Sequence, residues 1–90
     1  MDNYTKLKNK ITLLCYDTIE KREETIEDLE NCSIAIAETN ASMYEERKKL
    51  IHKNDLLYAI LTELNIKRDV LFELLEFAHE IEKESIQNKN

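Results

Sequence analysis

The 90-residue chain contains neither glycine nor proline. Tight turns with positive φ favour glycine, and abrupt helix stops use glycine or proline. A β-rich or enzyme-like domain with many turns is therefore disfavoured. Any turn must be built from Asn, Asp, Ser or Thr, and turns should be few. Long apolar runs are missing too, since no stretch approaches the roughly 18 to 20 residues that a membrane span needs. Near the start, lysines followed by Ile11, Leu13, Leu14 and Cys15 faintly imitate a secretory leader, but Asp17, Glu20 and Glu23 follow at once. No membrane span is expected, and the chain reads as soluble and intracellular, cytoplasmic or nuclear.

Cysteine is scarce. Cys15 and Cys32 are too few for a disulfide framework. On one helix their separation is about 25 Å at 1.5 Å per residue, which excludes a bridge between them. Both are expected to be reduced thiols packing as small core residues, in keeping with an intracellular protein. Positive charge is also in deficit: the net charge is −6. Phosphate backbones and anionic lipid surfaces bind clustered Lys and Arg, so general nucleic-acid or membrane-surface binding is disfavoured.

What the chain does have is charge and periodicity. Charged residues make up 36% of it and apolar residues 42%, the balance of an exposed helix with one buried stripe. Leu29, Ile36, Met43, Leu50, Leu57, Leu64, Leu71 and Ala78 recur every seven residues. Sustained over so many turns, that repeat describes a helix packed lengthwise against another helix. With these residues as heptad position d, position a holds Ile19, Ile26, Ser33, Asn40, Arg47, Asn54, Leu61, Arg68 and Leu75. Position e holds Glu30, Ala37, Tyr44, Ile51, Tyr58, Asn65, Phe72 and His79. The expected seam is thus a face about 100° wide, apolar at its shoulders and polar in the middle. Asn40, Arg47 and Asn54 in that middle are candidates for fixing register, because a buried amide demands a partner; the alternative is that this stretch simply faces water.

Residues 56–81 are apolar on several sides, as in a helix buried among two or more neighbours. The N-terminal arm, with Leu7, Ile11, Leu14, Ile19, Ile26 and Leu29, is thinner. The expected fold is all-α, a single domain over 1–90 with long helices in a coiled coil or multi-helix bundle. It has two arms, 4–39 and 43–86, and a frayed tail at 87–90. A turn at 39–42 is marked by Thr39-Asn40-Ala41-Ser42, where Ser42 and Glu45 have the spacing of a capping box. The unbroken heptad phase argues instead for one continuous helix of roughly 120 Å, so both the continuous and the hairpin form stay open. Charge falls in blocks: acidic over 17–30, basic at Arg47, Lys48, Lys49 and Lys53, acidic again over 73–84. Folding back near the middle is expected to bring like blocks together, which mildly favours a staggered or different partner.

Chemistry is thinly provided for. His52 and His79 lack cysteine neighbours and the other ligands a metal site requires. Neither cysteine has a histidine beside it at a helix start to lower its pKa. Paired acids such as Glu23/Glu24 and Glu45/Glu46 read as a solvated face. No cofactor, metal, small-molecule substrate or enzymatic activity is expected. The Arg47–Lys53 cluster is shorter and sparser than a DNA-binding basic helix, and an acidic partner helix suits it better.

The spacing of Met43, Glu46 and Leu50 within 26–71 resembles the layers of a SNARE motif. Lys53 and Lys67 fall in those layers, and Glu46 stands where that family has glutamine, which sets this chain apart. The expected function is a protein-interaction or assembly subunit, such as a scaffold, tether or adaptor, working through helix association with itself or another chain. The expected contacts are Leu29, Ile36, Met43, Leu50, Leu57, Leu61, Leu64, Leu71, Leu75 and Ala78, with Tyr44, Ile51, Tyr58 and Phe72 as shoulders. The alternative is a small acidic binding module, such as a secretion-type chaperone or an inhibitor that occludes a partner's site.

Overall fold

The computed structural model describes residues 3–88, with side chains through residue 84. The chain is all-α and forms a helical hairpin. Helix α1 runs Asn3–Glu38, a single 3-10 turn spans Ala41–Met43, and helix α2 runs Tyr44–Asn88. Only Thr39 and Asn40 among the described residues lie outside a helix. Helix α2 therefore extends into the expected tail, of which Lys89 and Asn90 lie outside the described residues, as do Met1 and Asp2.

A bend without glycine needs a polar side chain to close it. The Asn40 backbone is extended, and its Oδ1 accepts from the backbone N–H of Ser42 at 3.1 Å and from the Ser42 hydroxyl. Asn40 thus caps the 3-10 turn, satisfying one of the amides that a helix start leaves open. Glu45 and Glu46 follow in the first turn of α2, where carboxylates favour the positive end of the helix dipole. The cap sits two residues ahead of the Ser42–Glu45 box that the sequence suggests.

The hairpin measures 74 × 18 × 15 Å, with a radius of gyration of 20.4 Å. A compact chain of this length would have a radius near 12 Å. The two helices meet along a single seam. In α1 it runs through Tyr4, Lys8, Ile11, Cys15, Thr18, Arg22, Thr25, Leu29, Cys32 and Ile36, all buried or half-buried. In α2 it runs through Leu50, Asn54, Leu57, Leu61, Leu64, Arg68, Leu71, Leu75 and Ala78, likewise buried or half-buried. Both rows alternate steps of four and three, the spacing of knobs into holes. Ile11, Cys15 and Leu71 form a buried cluster, with Leu75 packed against it.

The rows differ in one respect. The seam of α2 uses positions a and d, as the sequence implies. That of α1 uses the Leu29 row together with the row on its other side: Ile11, Thr18, Thr25 and Cys32 rather than Ile19, Ile26 and Ser33. Threonine tolerates this because it bonds within its own helix. Thr18 Oγ1 donates to the Leu14 carbonyl at 2.7 Å, and Thr25 Oγ1 to that of Lys21 at 2.8 Å. With the hydroxyl satisfied, what faces α2 is a small side chain and its methyl group.

Polar ties cross the seam at four levels. The Tyr4 hydroxyl donates to the Ala78 carbonyl at 3.1 Å, Lys8 Nζ to Glu82 Oε2 at 2.8 Å, Arg22 Nε to Asn65 Oδ1 at 2.6 Å, and Cys32 Sγ to the Leu50 carbonyl at 3.2 Å. These levels also correct the expectation that folding back sets like charge against like. Because the bend falls at Thr39–Asn40, the acidic 17–30 stretch lies level with the largely apolar middle of α2. The acidic end of α2 comes beside Lys8 near the start of α1.

Candidate interaction surface

The seam uses up part of the apolar surface and leaves the rest outside. Of the expected contact residues, Leu29, Leu71 and Ala78 are buried between the helices. Ile36, Leu50, Leu57, Leu61, Leu64 and Leu75 are half-buried there. The structure does not gather the others into the seam. Met43 and Tyr44 are exposed at the bend, and Ile51, Tyr58 and Phe72 are exposed along a flank of α2. The three polar candidates separate. Asn40 is the exposed cap, and Arg47 is exposed beside the bend. Asn54 alone enters the seam, its Oδ1 buried without a hydrogen-bond partner.

Two flanks result, one on each side of the seam. The first carries Tyr44, Ile51, Tyr58 and Phe72 of α2, a stripe of seven-residue steps in which the half-buried Asn65 stands between Tyr58 and Phe72. Tyr58 is 56% exposed and lines an open groove with Ile26, Ser33, Ile34 and Leu61. Tyr44 and Ile51 line a second with Arg47 and Lys48, and Phe72 a third with Leu75, Glu76, His79 and Lys83. At 1.5 Å per residue the stripe is about 42 Å long.

The opposite flank carries Leu56, Ile60, Val70, Leu74 and Phe77 of α2 with Leu7 and Leu14 of α1, all exposed, Phe77 at 61%. Its aliphatic and aromatic residues gather towards the open end of the hairpin. Near the bend it is charged, where Ala35, Glu38, Met43, Glu46, Lys49 and Leu50 line a groove. The basic cluster is thereby divided: Arg47 and Lys48 edge the first flank, Lys49 the second.

Sequence reasoning missed Thr18, Arg22 and Thr25 as seam residues of α1, because none of them carries an apolar signal. The second flank is visible in the sequence only as the surplus of apolar residues over 56–81.

Cys15 and Cys32 are free thiols at 5% and 4% exposure, held inside the seam. Among the described residues, no three His, Cys, Asp or Glu side chains gather where they could share a metal ion. No helix among those residues is long and apolar enough to cross a membrane. No family model, curated protein or solved structure matches the chain.

Proposed function

We propose that this chain is a non-enzymatic assembly subunit, a scaffold, tether or adaptor that works by helix association through its outer flanks. The observation that carries this reading is surface left uncovered. The hairpin exposes 7196 Å², whereas a compact monomer of its mass exposes roughly 5,500 Å². The difference, roughly 1,700 Å², is the area one subunit gives up in a large, obligate interface. It includes exposed tyrosine, phenylalanine, leucine and isoleucine in rows interrupted by Asn65 on the first flank and by Glu63 and Lys67 on the second, and exposed apolar patches of that kind mark contact sites.

The partners are helices, of this chain or another protein. The grooves among the described residues are open, which suits a helix better than a small-molecule substrate, and the division of the basic cluster between two flanks speaks against a nucleic-acid track. Two buried free thiols support an intracellular setting. The alternative, a compact module that plugs another protein's site, fits a rod of 74 Å less well.

The test is the size of the protein in the cells that make it. Native chromatography should place the wild-type chain in a species well above its own 10.7 kDa. A variant with Ile51→Asp, Phe72→Asp, Leu74→Asp and Phe77→Asp should leave that species while staying helical. A wild-type chain that migrates as a single hairpin in its own cells overturns the reading.

A further inference from the structure

The groove that Tyr58 lines on the first flank is apolar inside and acidic at its edges. Ile26, Leu29, Ile34, Tyr58 and Leu61 line it, with Ser33 and Glu30. Along α1 its edge is a row of glutamates, Glu20, Glu23, Glu27 and Glu30, all exposed. Steps of three and four put them on one helical ridge about 15 Å long. On α2 the exposed Asp55 stands one turn before Tyr58. Among the described residues, none of these five carboxylates has an ion-pair partner. The bases beside them are held elsewhere: Lys21 pairs with Asp17, and the half-buried Arg22 bonds Asn65. That second bond crosses the seam one turn beyond Ile26 and Leu61 and bounds the groove. Towards the bend the acidic stretch gives way to Arg47 and Lys48, beside Tyr44 and Ile51. Like charges at i,i+3 and i,i+4 repel, so the glutamate row strains α1 until something basic lies along it.

We infer that this groove receives an amphipathic helix of another protein, one whose apolar row is edged by lysine or arginine. The inference rests on the reading that the chain acts by helix association, and names the partner within it. Seated between α1 and α2, such a helix completes a three-helix bundle. Its apolar row covers Ile26, Tyr58 and Leu61, one basic edge meets the glutamate row, and the other meets Asp55. Tyr58, 56% exposed, supplies the large aromatic ring that anchors such contacts. To match the glutamate row, the basic stretch of the partner runs for about three turns.

The same carboxylates decide against other occupants. Phosphate backbones and anionic lipid meet like charge here. A second copy docked groove to groove sets acids against acids whichever way it runs, because both walls are acidic. The chain's own basic run from Arg47 to Lys53 spans about 9 Å, shorter than the glutamate row, and is divided between two flanks. The second flank shows no such bias of sign, since Lys21 and Lys67 share it with Asp28 and Glu63.

The purified full chain tests this by fluorescence anisotropy with two labelled synthetic helices of about four turns. Both carry leucine in the apolar row; one has lysine along both edges, the other glutamate. Wild type should bind the lysine helix, more weakly at high salt, and should not bind the glutamate helix. Glu23→Lys with Glu30→Lys should raise the dissociation constant for the lysine helix about tenfold and admit the glutamate helix. Tyr58→Ala should weaken binding about tenfold as well. Glu63→Lys with Glu73→Lys makes the same change of net charge away from the groove and should leave binding within about twofold of wild type. Equal binding of both helices, or equal weakening by the two lysine pairs, overturns the groove as the site. A dimer of the chain alone that Tyr58→Ala abolishes makes the occupant a second copy and overturns the basic partner. If neither helix binds while the wild-type chain enters a larger species in its own cells, the assembly reading stands and this partner falls.

Discussion

Arg22 of α1 donates its Nε hydrogen to Oδ1 of Asn65 on α2 at 2.6 Å, midway along the hairpin. A cation here occupies a seam position that Leu29 fills one heptad later. It is tolerated because the guanidinium, half-buried, finds a planar acceptor across the seam. Asn65→Ala removes that acceptor, and the hairpin should lose about 1–2 kcal/mol. Arg22→Leu with Asn65→Ala should recover the loss, since it removes both polar partners together. Urea unfolding followed by circular dichroism measures both, and equal stability of wild type and Asn65→Ala would remove this bond from the account.

Asn54 is the opposite case, a seam amide whose Oδ1 is buried and unbonded. Asn54→Leu joins it to the Leu50, Leu57 and Leu61 row. The expected gain is about 1–2 kcal/mol, read as a higher urea midpoint at unchanged slope. A loss of stability would mean that the amide has a partner in solution.

The seam and the flanks should respond differently to the same chemistry. Leu57→Asp or Leu64→Asp puts a carboxylate between the helices, and helicity and association should fall together. Tyr58→Asp puts it on the open flank, and the hairpin should stay helical. Leu71, 8% exposed, should cost about 2–4 kcal/mol as Leu71→Ala, whereas Leu13→Ala should cost under about 0.5 kcal/mol. Far-ultraviolet dichroism with sedimentation separates the two responses; indifference to Leu57→Asp would remove that row from the seam.

The bend depends on one side chain. Asn40→Ala removes the cap on Ser42 and should lower hairpin stability by about 1 kcal/mol, while Asn40→Ser should keep most of it. Thermal melts at fixed concentration report both. Equal melting of all three proteins would show that the bend is held by the seam alone.

The part of this fold readable from sequence is the part written in leucine. The row from Leu50 to Ala78 and its companion Leu61, Arg68 and Leu75 lie in the seam of α2 as their spacing implies. The matching row of α1 is hidden, because Thr18 and Thr25 look polar until their hydroxyls are seen bonded to Leu14 and Lys21. The choice between rod and hairpin is hidden for another reason: Ile36, Met43 and Leu50 keep step across the bend, so periodicity carries no mark of it. Tyr44, Ile51, Tyr58 and Phe72 share their row with Asn65 and His79. Their place beside rather than within the seam depends on which side of the Leu29 row α1 presents, which the pattern leaves open.

That unbroken step has a consequence for how two chains exchange parts. A chain that straightens at Thr39–Asn40 becomes a rod of roughly 130 Å bearing both halves of its own seam. Two such rods side by side in opposite directions recover the α1–α2 contacts between chains and give up only the bends. Arm exchange of this kind is a low-cost route to a dimer; across the hinge the Leu29–Ala78 row keeps step, while its companion row passes from one side of it in α1 to the other in α2. Here the hinge is two residues capped by one asparagine, so clip and exchanged pair differ mainly in Asn40 and in chain concentration.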